Sequence, residues 1–123
     1  MVTASLLAKP PIANPELRTL LRRLDERLKA RFGEGYAGLI LFGSRARGDN
    51  ASDSDADVAV VLRRPVGDRW TVRRRLIEDT YPLLLESGLY IQTWPVSEKE
   101  IEDPDSSPTP QLIRNILRDG VAA

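Results

Sequence analysis

The 123-residue chain has neither cysteine nor histidine, which excludes disulfides, thiolate nucleophiles, structural zinc, a Ser-His-Asp relay and a histidine general base. Its 18 basic residues balance 18 acidic ones, so it lacks the overall positive field of a protein built mainly to grip duplex nucleic acid. One core fits this length but two do not, and the chemistry left to it must run on carboxylates, hydroxyls, arginines, backbone dipoles or a hard metal ion.

In chain order, residues 1–13 read as a flexible leader, because Pro10-Pro11 prevents regular structure, and residues 14–123 as a single domain. Leu6-Leu7 is too short for a signal core and no run approaches a membrane span, so a cytoplasmic location is expected. Asn14-Pro15-Glu16 predicts a helix start, with Asn as cap, Pro at the first helical position and an acid in the first turn. Leu17, Leu20, Leu21, Leu24 and Leu28 then fall on one face, and Gly33 marks the stop. Tyr36 to Phe42 is apolar throughout, as in a strand buried on both faces.

A second strand is expected over Asp55 to Leu62, and a turn follows around Pro65 and Gly67. Arg69 to Glu86 reads as a helix with Trp70, Leu76, Ile77, Leu84 and Leu85 in the core, kinked or broken at Pro82. Trp70 and Trp94, at element ends, are expected to be core or interface anchors, Tyr81 and Tyr90 to pack, and Arg73-Arg74-Arg75 to form a solvated face. Gly88 to Trp94 suggests a third strand, and Ser97 with Glu98 and Glu100 a short acidic helix start whose acids face solvent. A Pro- and Ser-rich linker over residues 103–110 leads into a closing helix, Gln111 to Arg118, ending at Gly120. Three strands beside helices predict an α/β fold of the α+β type: a small mixed sheet of three or more strands with helices mainly on one face.

Asp55 and Asp57 lead into the second strand and, two apart, point to one face together with Ala59 and Val61. Two acids at the start of a core strand cost stability unless something pairs with them. A metal ion is an economical partner; Arg45 or Arg47 is the alternative. Gly43 lets the chain turn sharply at the end of the preceding strand, and Ser44 offers a hydroxyl and a backbone N–H to phosphate. Arg45 and Arg47 both lie within reach, and Arg47 is assigned to the nucleotide with Gly43 and Ser44. Mg²⁺ takes oxygen ligands, commonly one or two carboxylates with water and substrate phosphate. The pattern therefore describes a site for a metal-bound nucleoside triphosphate. No lysine follows in the manner of a Walker loop.

These residues, Gly43-Ser44-Arg45-Ala46-Arg47-Gly48 and then Asp53-Ser54-Asp55-Ala56-Asp57-Val58, resemble the minimal nucleotidyltransferase domains of the DNA-polymerase-beta-like superfamily. The resemblance implies that superfamily's fold, with Asp55 and Asp57 as catalytic metal ligands. It also implies Mg²⁺-dependent transfer of a nucleoside monophosphate from ATP or another nucleoside triphosphate to a hydroxyl. Stand-alone members often pair with a helical HEPN-type protein in toxin–antitoxin operons, some modifying the toxin on tyrosine. Active relatives carry a third carboxylate on the next core strand, and here that position aligns with Gln92. Gln is a neutral ligand and a very poor base, which leaves a catalytically weakened binding module as the alternative.

Overall fold

The computed structural model describes residues 15–43 and 56–122. The expected leader, the Asn14 cap and the loop residues Ser44, Arg45, Arg47, Asp49, Asp53 and Asp55 lie outside them.

Helix α1 (Pro15–Phe32) begins on its proline and buries all five of the predicted leucines. Each contributes about 1.5–3 kcal/mol of transfer free energy. A single 3₁₀ turn, Gly33–Gly35, delivers the chain into β1 (Tyr36–Phe42). Strand β2 (Ala56–Leu62) runs antiparallel to β1 from Tyr36↔Leu62 to Phe42↔Asp57. Strand β3 (Ile91–Ser97) lies parallel to β2 on its other side, and the two-residue β4 (Val121–Ala122) pairs with β1. The sheet order is β3-β2-β1-β4.

Alternation along the central strands builds two cores. Leu39, Leu41, Val58, Val60 and Leu62 meet the leucines of α1 and Leu76 and Leu83 of α2 (Arg69–Ser87). On the other face Ile40, Phe42, Ala59, Val61 and Val96 meet Ile101 of α3 (Glu98–Glu102) and Ile113 and Ile116 of α4 (Pro110–Asp119). The two long helices thus share one face, as expected, while the short ones close the opposite face. Burial on both sides is why β1, and β2 beyond Asp57, read as unbroken apolar runs.

Helix α2 departs from expectation twice. It continues through Pro82 without a break. Pro82 withholds one N–H from the carbonyl of Glu78, a residue exposed to solvent, and the turn beyond is anchored by buried Leu83. Gly88, left-handed at φ 73°, then closes the helix by donating its N–H to the Leu84 carbonyl at 2.8 Å. The start is capped by the Asp68 carboxylate, which accepts from the Trp70 and Thr71 N–H groups at 3.2 and 3.5 Å.

The second departure is the phase of the helix. Leu76, Asp79, Thr80 and Leu83 face inward, whereas Trp70, Ile77, Tyr81 and Leu85 are 67, 52, 56 and 69% exposed. Tyr90, after the helix, is exposed as well, and Leu84 is half-buried. Asp79 holds the inward position because Arg31 of α1 grips it, Nη2 donating to Oδ1 at 2.7 Å with Nε 2.6 Å from Oδ2. A similar tie joins α1 to β1, where the buried Tyr36 hydroxyl donates to Asp25 at 2.5 Å. Burial and that carboxylate push the Tyr36 phenol pKa well up.

Strand β3 begins at Ile91 rather than Gly88, since Gly88 caps α2. Proline is tolerated at Pro95 because β3 is an edge strand. Arg69 of α2 clasps that edge, donating to the Pro95 carbonyl and, at 2.6 Å, to Glu100. Glu100 is buried rather than solvent-facing: it completes a capping box with Ser97 and also accepts from the Ser107 hydroxyl at 2.8 Å. Among the described residues no helix is long and apolar enough to cross a membrane.

Candidate active site

The strand register determines what surrounds Asp57. It opposes Phe42 on β1 and Gln92 on β3, and it shares a face with Ala59 and Val61. That is the orientation expected from the alternation in the sequence. Gln92, as its parallel partner, projects to the same face, so the neutral amide stands next to the carboxylate. Both residues are half-buried, at the end of the sheet where β1 finishes at Phe42.

Gly43 lies against this carboxylate. Its φ of 77° is left-handed, and a Cβ placed there would stand 2.8 Å from Asp57 Oδ2. Only a glycine both makes the turn and leaves that oxygen its room. The other oxygen, Oδ1, accepts from the Trp94 indole N–H at 3.3 Å. The Arg73 guanidinium lies over the Trp94 ring, 4.2 Å from its centroid, in cation–π geometry. Arg73 is therefore not simply a member of a solvated Arg run.

Trp94 and Arg73 are the neighbours that sequence reasoning missed. The signal for Trp94 was its position two residues after Gln92, which puts both on one strand face. Arg73 left no such signal, since its contact depends on α2 reaching the edge of β3.

The structure thus brings Gly43, Asp57 and Gln92 together, while Ser44, Arg47 and Asp55 lie outside the described residues. Among the described residues no three acidic side chains gather as a metal-binding group. Carboxylate and amide oxygens are the donors that a hard cation takes, and Asp57 and Gln92 carry one of each kind on the same strand face. Glu100 is committed to Ser97, Ser107 and Arg69. A depression of about 740 Å³ beside Lys29, Tyr36, Arg63 and Arg64 sits at the opposite end of the β1–β2 pair.

The sequence profile of the nucleotidyltransferase domain matches residues 21–123. The chain belongs to the nucleotidyltransferase domain family. That match takes in both strands that carry the site, and nucleotidyl transfer is the chemistry for which the family is named. Among solved structures, the chain is similar to a Sulfolobus solfataricus protein named as a candidate nucleotidyltransferase, at 18% identity and TM-score 0.48, covering 83% of this chain and 79% of that one. It is also similar to a chain of a toxin–antitoxin structure with AMP-PNP, at 21% identity and TM-score 0.45, covering 79% and 67%. No curated protein is significantly similar in sequence.

Proposed function

We propose that this nucleotidyltransferase-domain protein transfers a nucleoside monophosphate from ATP or another nucleoside triphosphate to a hydroxyl on a partner protein, as a toxin-modifying antitoxin. The observation that carries the reading is Gly43 turned against the Asp57 carboxylate at the end of two paired core strands. Family membership supports the reaction class, and the toxin–antitoxin likeness suggests the kind of partner, for which a helical HEPN-type protein is the candidate.

In this reading Asp55 and Asp57 hold Mg²⁺, and Gly43, Ser44 and Arg47 hold the triphosphate. Bound Mg²⁺ would neutralise charge on the phosphate oxygens and orient them. The acceptor hydroxyl gives up its proton to solvent as its oxygen forms a bond to the α-phosphorus, the bond from the α-phosphorus to the bridging oxygen breaks, and pyrophosphate leaves with that oxygen. Trp94 keeps one Asp57 oxygen oriented, and Gly43, having no Cβ, does not crowd the other.

A second reading is favoured by the register that sets Gln92 beside Asp57. An amide there supplies an oxygen but no base, which fits a module that binds nucleotide and covers a partner without rapid turnover.

The test uses ATP labelled at the α-phosphate, Mg²⁺ and the protein encoded beside this one, with D55N/D57N as control. Transfer of α-label but not γ-label, abolished in the control, is the expected result. A tight complex in both proteins with no transfer would sustain the binding module instead. Under the first reading Q92D raises the rate, by about tenfold or more on the scale of an added general base; an unchanged rate would refute the role given to that position.

A further inference from the structure

Trp70, Ile77, Tyr81, Leu85 and Tyr90 are the large apolar side chains most open to solvent among the described residues, and they are not scattered. Four lie on α2, and Tyr90 lies in the segment joining α2 to β3. At helical spacing Trp70, Ile77, Tyr81 and Leu85 make one stripe, opposite the Leu76, Asp79 and Leu83 line that faces the sheet. The stripe is about 22 Å long. Beside it Ile77, Thr80, Tyr81, Leu84, Tyr90 and Ile91 line a groove of about 230 Å³. A second apolar face on a helix already packed against its own sheet signals an interface.

The charges along this face identify what it fits. Arg74 and Glu78, both exposed, follow one another by one turn along the same edge of the stripe. Of the other charges of the helix, Arg69 pairs with Glu100, Asp79 with Arg31 and Glu86 with Arg23, Arg73 lies over Trp94, and exposed Arg75 stands outside the stripe by helical spacing. A partner of one charge sign would meet repulsion from one of the pair. A second α2 laid antiparallel sets each Arg74 against the copy's Glu78, and each Trp70 toward the copy's Leu85. Laid parallel about a two-fold axis, it would carry the copy's Arg74 and Glu78 to the opposite edge of the pair, out of reach of these charges.

We infer that two copies of this chain associate about a two-fold axis through antiparallel α2 helices, with Ile77 near the axis. Such an interface is isologous and closes at the dimer. It leaves Asp57 and Gly43, on other elements, outside the helix pair.

The full chain is tested by sedimentation over a dilution series. A dimer is expected, with I77E weakening it by at least about tenfold. R74E and E78R each weaken it, and R74E/E78R together restore it, because the reciprocal pairs are re-formed with signs exchanged. These positions are exposed, and circular dichroism verifies the fold of each variant. Since the chain has no cysteine, I77C offers an independent readout: it oxidises to a cross-linked dimer whereas E102C, on α3, does not. A monomer at every concentration would overturn the inference and leave the face to the leader or to another protein. A dimer indifferent to I77E, a double variant no better than either single one, or equal cross-linking of I77C and E102C would overturn it too.

Discussion

Gly43 and Asp57 form a single device, since the backbone of one sets the freedom of the other's carboxylate. In G43A the new Cβ would sit 2.8 Å from Oδ2 on a backbone at φ 77°. The left-handed strain costs about 1–2 kcal/mol. The carboxylate must also yield, yet Trp94 holds its other oxygen at 3.3 Å. G43A is therefore expected to lower the thermal midpoint by a few degrees but to weaken Mg²⁺-dependent nucleotide binding far more. Calorimetric melting with and without Mg²⁺-nucleotide separates the two effects, and equal stabilisation by ligand in both proteins would contradict the coupling. W94F keeps an aromatic ring under Arg73 while removing the N–H. Its expected effect is a rise in the Mg²⁺ concentration needed for nucleotide binding, on the order of tenfold for one lost hydrogen bond to a charge. Titration of Mg²⁺ against bound nucleotide checks this, and an unshifted midpoint would assign Trp94 to packing alone.

At the scale of elements, the difference between α1 and α2 explains what could be read in advance. Every leucine on the apolar face of α1 is buried and its charged residues lie outside, so periodicity located the helix, its stop and its core face together. In α2 an aspartate takes an inward position and large apolar residues point outward, so the same rule assigned Trp70, Ile77 and Leu85 to the core and passed over Leu83. Nothing local says that Asp79 has an arginine waiting on α1. The site shows the same division. Alternation gave the face of Asp57 and the family resemblance the place of Gln92, whereas Trp94 and Arg73 depend on pairing and packing across elements. The corrected phase makes a prediction in dilute protein. L83A should cost about 2–5 kcal/mol, because it empties a fully buried position. L85A, two residues on, should stay within about 0.5 kcal/mol. Urea denaturation of the pair measures both, and comparable losses would reject this orientation of the helix.

For the whole molecule, the end of β3 is a junction whose strength depends on one carboxylate. Glu100 accepts from the Ser97 N–H at 2.8 Å, the Ser107 hydroxyl at 2.8 Å and Arg69 at 2.6 Å, tying together β3, the linker before α4 and the start of α2. Burial alone would raise its pKa; the Ser97 N–H, the Ser107 hydroxyl and Arg69 outweigh it and hold the carboxyl below the ordinary value of 4.5. A carboxyl whose folded pKa is depressed contributes stability that is complete above its unfolded pKa and lost as the pH falls through that value toward the folded one. The wild-type chain should therefore lose stability on acidification from about pH 5 downward, in the range where an unperturbed glutamate titrates. E100Q removes the charge but keeps the shape. It should be the less stable protein at neutral pH, and the two proteins should converge as the wild-type carboxyl takes up its proton. Urea midpoints measured from neutral pH to pH 3 give the difference curve directly. If that difference stayed constant through the acid range, the Glu100 contacts would owe nothing to its charge, and the junction would rest on packing alone.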